Sequence, residues 1–341
     1  MTIITLVALA LVLGGCGKRG KTGAPGPQGP AGEDGLPGPA FGPVTGLSIT
    51  VEQATVNSAP VIDFMVRNQT GQPFAALVPG DLRFTIAKLI PGMPTNWQNY
   101  ILTTQTSTAA GAPGLGRTTV QGTRETPTGS ADPSEGPNFP PGSLVNYGNG
   151  RYTYTFATDI TQGQANCPAP CKDAFGRTLD LSFQDFLTHR VGIQTRGDVP
   201  PVNATFDFRP DKGAVTTRRD IVKTDSCNEC HDALEAHDAR IEVKYCVTCH
   251  NLGSTDPDSE RPAKDAPAGQ PMQVLSSGAV DFKQMIHKIH RGASLPTVAG
   301  CNRDPGCVVT QALGGEYAIW GYRNTKHTFA EVVDVDPDPG V

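Results

Sequence analysis

The stretch Cys227-Asn228-Glu229-Cys230-His231, repeated in pattern at Cys246-Val247-Thr248-Cys249-His250, decides how the chain is to be read. C-x-x-C-H is the attachment signature of c-type haem. Two thiols three positions apart reach the two vinyl groups on one porphyrin edge and form thioethers, and the adjoining imidazole becomes the proximal iron ligand. Cys227, Cys230, Cys246 and Cys249 are therefore expected to attach two haems c, with His231 and His250 as proximal ligands. The cysteine spacing alone also fits a zinc ribbon, and either C-x-x-C fits a redox pair or a disulfide. A His directly after both second cysteines, in an exported chain where zinc thiolates are uncommon, favours haem.

Working outward, five of the seven histidines lie between 231 and 290. His231 to Arg240 reads as a short helix bearing His237. Asp281–Gly292, D-F-K-Q-M-I-H-K-I-H-R-G, has helical spacing and a glycine stop, and it sets His287 and His290 at i and i+3 on one side. Such clustering suits distal ligation. A His/His iron has no open position and a low potential, which fits electron transfer rather than oxygen binding. His237, His287, His290 and His327 are four candidates for two distal places. Met285, on the same helix, points elsewhere.

Upstream of the motifs, residues 44–218 read as an antiparallel β domain, a split barrel or sandwich. Short β-branched and aromatic segments recur at Leu47–Val56, Pro60–Val66, Leu82–Ile90, Arg151–Ile160, Thr188–Thr195 and Val202–Phe208. In Arg151–Ile160, alternation puts Tyr152, Tyr154 and Phe156 on one face. Gly111 to Gly150 reads as a long, mobile polar insertion, and the lone His189 as structural. No catalytic constellation assembles here. Residues 219–341 read instead as a loop-rich, partly helical haem domain.

At the N-terminus, Ile3 to Leu13 is an apolar run of signal-peptide length, too short to span a membrane comfortably. It ends in Leu13-Gly14-Gly15-Cys16, similar to a bacterial lipoprotein signal, although Met1 to Thr5 carries no positive charge. On that similarity residues 1–15 are removed and Cys16 carries lipid, a stable anchor if several chains are attached. Gly20 to Ala40 is a run of Gly-X-Y triplets. As an extended spacer it would span about 65 Å; a collagen-like trimer is the other use. Residues 16–43 thus form a tether. The 39 glycines and 30 prolines of the 341 residues imply many loops. A formal net charge of −5 argues against a nucleic-acid partner. With one cysteine lipidated and four on haem, Cys167, Cys171, Cys301 and Cys307 remain. The compartment is oxidising, so the short C-P-A-P-C and C-N-R-D-P-G-C loops suggest two local disulfides, with cross-pairing as the alternative.

CNECHDALEAH, YCVTCHN and MIHKIHRG, preceded by a β region containing GRYTYTF and LTHRVGI, resemble the outer-membrane multihaem c-type cytochromes of metal-reducing bacteria, the OmcA/MtrC type. The resemblance runs from about Val44 to Ala330. It implies a split β-barrel domain followed by stacked bis-His haems, with His237, His287 and His290 at distal positions. It also implies lipid anchoring at the outer membrane, facing the cell exterior. Electrons would arrive from other multihaem cytochromes or a porin-type conduit and leave for metal oxides or soluble redox acceptors. The chain would then be an electron-transfer protein, at most a terminal metal reductase, with no acid, base or nucleophile. Family members carry about ten haems in two domain pairs, whereas two motifs stand here. The surplus histidines, and a stretch at 327–333 that in the family runs on into a further motif, lead to the expectation of an incomplete haem module; a naturally short two-haem relay is the alternative. Other readings are a zinc-stabilised binding lipoprotein on a collagen-like stalk and a haem enzyme with an open iron site.

Overall fold

Strand alternation accounts for most of the architecture. The computed structural model describes residues 44–259 except 93, 113, 137, 174, 175 and 238, together with 278–292, 295, 317–320, 325–329 and 332. All of these belong to one compact unit.

Two open sheets make a sandwich. The first has the order β1-β2-β9-β8-β7 and the second β11-β10-β3-β4. In the first, β1 (Leu47–Val56) pairs antiparallel with β2 (Pro60–Asn68), and β2 with β9 (Arg151–Thr155). Beyond β9 lie β8 (Ser143–Asn146) and β7 (Gly129–Ala131). In the second, β3 (Leu82–Ile90) lies between β10 (His189–Thr195) and β4 (Asn96–Asn99), and β10 also pairs with β11 (Asn203–Phe208). A separate hairpin joins β5 (Leu102–Thr106) to β6 (Thr118–Gly122). Ile62, Phe64 and Val66 of β2, and Phe84 and Ile86 of β3, have no exposed surface. Phe84 stacks on Tyr154 across the sandwich at 3.9 Å between ring centres, and within the first sheet Phe64 stacks on its strand neighbour Tyr152 at 5.4 Å. Tyr152, Tyr154 and Phe156 point into the core together, as their spacing requires.

Of the split barrel or sandwich expected, the described residues form two open sheets and no closed barrel. Two expectations change here. The domain is not wholly antiparallel, because β7 runs parallel to β8. The stretch from 111 to 150 is not one loop. It supplies β6, β7 and β8, and Val120, Leu144 and Val145 from it are buried. Its strands are short and broken by glycine, which hides their alternation.

Outside the sandwich, β3 and β10 are buried on both faces. Phe84, Ile86, Val191 and Ile193 face the core. The alternate residues Thr85, Ala87, Leu89, Arg190 and Gly192 face outward, and the segment carrying the second motif covers them. Its helix α2 (Val243–Cys246) follows α1 (Thr224–His231). Tyr245 packs so close to Gly192 that a Cβ there would lie 2.7 Å from its ring. Val247 packs on Ala87, Leu89 and Trp97. The third helix, α3 (Phe282–Arg291), is capped by Asp281, whose side chain accepts from the Gln284 N–H. A last pair joins β12 (Ala318–Trp320) to β13 (Lys326–Thr328). No helix among the described residues is long and apolar enough to cross a membrane.

Candidate functional site

The first motif lies on α1. Cys227 and Cys230 stand one turn apart on the helix, and His231 is its last residue. The expected helix over 231–240 does not form. Asp232 takes φ +54°, outside the helical region, and breaks the run there. The chain then folds into a tight turn in which Ala236 and Arg240 exchange both backbone hydrogen bonds at 2.9 Å. His237 sits in that turn at φ +50°, which swings its ring toward the second motif.

The second motif is bolted to the sheet. Thr248 is fully buried, and its hydroxyl lies 3.0 Å from that of Thr85. His250 Nδ1 donates to the Val280 carbonyl at 2.6 Å, leaving Nε2 for a metal. Burial lowers the His250 pKa, and the Val280 bond partly offsets this, so the ring stays neutral as a ligand must. Burial also raises the thiols of Cys227 and Cys249, and pushes Cys246 up to about 12. These three sulfurs stand as thiols rather than thiolates.

The histidines meet in two pairs. His231 faces His290 of α3 with ring centres 5.8 Å apart, and His250 faces His237 at 6.1 Å. A metal–imidazole bond is about 2 Å, so two rings ligating one iron from opposite sides have centres about 6 Å apart. His290 Nδ1 donates to the Ile286 carbonyl at 2.9 Å, so it too is left with Nε2. Each C-x-x-C-H histidine therefore has a partner at bis-ligation distance. Among the described residues, His287 and His327 meet no other histidine ring. His287 instead borders a cavity of about 470 Å³ walled by Trp97, Val247, His250, Phe282 and Ile286. That volume lies in the range of cofactor sites. Asp281 also lines the cavity; burial raises its carboxyl, and Oδ2 has no hydrogen-bond partner.

A buried ion-pair network ties these elements to the sheet. Arg190 has no exposed side-chain surface, stacks over Trp97 at 4.4 Å, and forks onto Asp207 at 2.6 and 2.8 Å. Asp220, just before α1, lies 3.3 Å from Arg190 and 3.1 Å from Lys244 of α2.

The remaining sequence-predicted residues divide simply. Cys167 and Cys171 form a disulfide. Cys16, Cys301 and Cys307 lie outside the described residues. No group of three or more His, Cys, Asp and Glu side chains is gathered for a metal among the described residues. Sequence reading missed Asn99, Arg190 and Val280, whose roles come from residues distant in the chain.

Residues 219–326 match the family model for outer membrane cytochrome MtrC/MtrF-like domains II/IV. The chain is 26% identical over 312 residues to the multiheme cytochrome MtrC of Shewanella baltica (strain OS185), covering 86% of this chain and 37% of that protein. Its fold is similar to the crystal structure of the outer membrane decaheme cytochrome OmcA, with a TM-score of 0.61 and 22% identity, over 84% of this chain and 37% of that one. The chain thus resembles outer-membrane multihaem cytochromes of the OmcA/MtrC type while spanning a little over a third of the length of each relative it matches.

Proposed function

We propose that this chain is a c-type cytochrome module that relays electrons at the outer membrane through two bis-His haems, toward acceptors outside the cell. The observation that carries the reading is the pairing of His231 with His290 and of His250 with His237 at about the spacing one iron imposes. Cys227 and Cys230 hold the first haem, Cys246 and Cys249 the second, each by two thioethers. Haem supplies the electron-accepting iron. The chain supplies imidazoles, of which His250 and His290 are held by backbone carbonyls, an apolar wall that includes Trp97, Val247 and Phe282, and fixed spacing between the two centres. No residue needs to move a proton for this work.

Cys16 as lipid anchor, the Gly-X-Y run as spacer, and a Cys301–Cys307 disulfide belong to the same proposal. So do electron donors of the multihaem or porin-conduit kind, and metal oxides or soluble redox compounds as acceptors. The sequence supports the anchor, the spacer and the disulfide, and the likeness to MtrC and OmcA supports the donors and acceptors.

The test is a chain matured with c-type haem machinery. Mass mapping should find two covalent haems, and the spectrum should be low-spin and six-coordinate. His237→Ala and His290→Ala should each convert one haem to high spin, whereas His287→Ala and His327→Ala should leave both low-spin. A colourless zinc protein refutes the reading. Loss of low spin in all four variants refutes the assignment of distal ligands.

A further inference from the structure

Asn99 closes β4 with no exposed surface, and its side chain is fully engaged across the interface with the second motif. Oδ1 accepts from the Ile101 N–H at 2.7 Å. Nδ2 donates to the Thr123 carbonyl at 2.9 Å and the Thr248 carbonyl at 2.8 Å, and it reaches Cys249 Sγ at 3.5 Å. The Asn99 backbone N–H donates to Asn251 Oδ1 at 2.9 Å, and Asn251 Nδ2 in turn donates to the Val247 carbonyl at 2.9 Å. Gly122 completes the enclosure. A Cβ there would lie 3.0 Å from the Cys249 carbonyl oxygen and 3.1 Å from Asn99 Nδ2, so any larger residue would press on both.

We propose that this cradle is fitted to Cys249 as a thioether, which makes Asn99 a positioning residue for the second haem; the inference rests on the haem reading above. As a thiol, Cys249 donates to the Thr123 carbonyl at 3.4 Å. On attachment the sulfur forms a bond to one vinyl carbon, and the sulfhydryl hydrogen passes to the other. No electron is gained or lost, so no oxidant is needed. The sulfur can then accept a hydrogen bond but no longer donate one. Thr123 would lose a donor at that moment, yet the Asn99 amide already serves its carbonyl. With two hydrogens and three acceptors in reach, the same amide meets the sulfur through an N–H shared with a carbonyl, a weak donor that a thioether can still accept. Cys230 has no comparable enclosure: it is exposed at the end of α1.

The experiment uses the full holoprotein and follows cyanide displacement of axial histidine, together with midpoint potential, at each haem. Asn99→Ala should speed displacement about tenfold at the Cys246–Cys249 haem, the factor expected when about 1.4 kcal/mol of hydrogen bonding is lost. It should also shift that haem's potential and leave the Cys227–Cys230 haem unchanged. Gly122→Ala should reproduce the selective effect by wedging the cradle, and it carries the test if Asn99→Ala does not fold. Thr85→Val cuts the turn's other tie without touching Cys249 and should leave the potential alone. Equal changes at both haems, equal effects of Asn99→Ala and Thr85→Val, or no change at the second haem would overturn the inference. Absence of haem at Cys246–Cys249 by mass mapping would instead refute the haem reading.

Discussion

His189, with no exposed surface, donates from Nδ1 to the Leu187 carbonyl at 2.9 Å, and its Nε2 accepts from the Tyr100 hydroxyl at 3.1 Å. Burial lowers its pKa from 6.5 to about 4. Between those values the unfolded chain takes a proton that the folded chain refuses. The contribution is therefore whole above about pH 6.5 and is lost as pH falls toward 4, amounting to about 3 kcal/mol. Asp256, Asp281 and Glu125 have raised carboxyl pKa values and act in the opposite sense over the acid range. The His189 part is thus read as a difference. Urea unfolding of wild type and His189→Gln across pH 4 to 7 should converge toward the acid end. Parallel curves would show that the buried imidazole carries no such linkage. The structural character of this histidine was legible from its isolation in the sequence, but its tautomer depends on Tyr100 and Leu187.

At the level of elements, the docking of α2 on β10 depends on the missing side chain at Gly192. A Cβ there would meet Thr85 Oγ1 at 2.5 Å and the Tyr245 ring at 2.7 Å. Neither neighbour has space to retreat, since Thr85 has no exposed surface and Tyr245 is 1% exposed. Gly192→Ala should cost about 1–3 kcal/mol by overpacking and loosen α2 first. Thermal denaturation and hydrogen exchange at 243–250 measure both; unchanged exchange there would refute the close-packing account. The strands themselves were largely readable. Leu47–Val56 and Leu82–Ile90 coincide with β1 and β3, because β-branched and other apolar residues recur along both between turn-forming residues. β4, Asn-Trp-Gln-Asn, escaped notice because asparagine is depleted in strands. Its pairing with β3 overrides that preference.

Across the whole molecule, sheet and haem-motif segments are joined by the Asp207–Arg190–Asp220–Lys244 network. Arg190 is wholly buried and Asp207 nearly so, so removing one partner leaves the other charged and desolvated. Asp207→Ala should therefore destabilise by about 3–5 kcal/mol, more than an exposed pair would. Limited proteolysis should then cut near 219–223, where Asp220 at 3.3 Å is left as the partly exposed carboxylate holding Arg190; an uncut, fully stable variant would show the network to be dispensable. The sequence alone determined the residue types and the local periods: two C-x-x-C-H motifs, a helix that stops at Gly292, a β region with inward aromatics. These follow from chemistry within a few positions of each residue. Tertiary structure alone decided that His231 meets His290 and His250 meets His237, that β7 runs parallel to β8, and that Asn99 reaches Cys249. Such choices set residues up to about 150 positions apart against each other, as Asn99 Nδ2 against Cys249 Sγ shows. They are settled by which faces can be buried together without leaving a polar group unpaired, a condition no local pattern records.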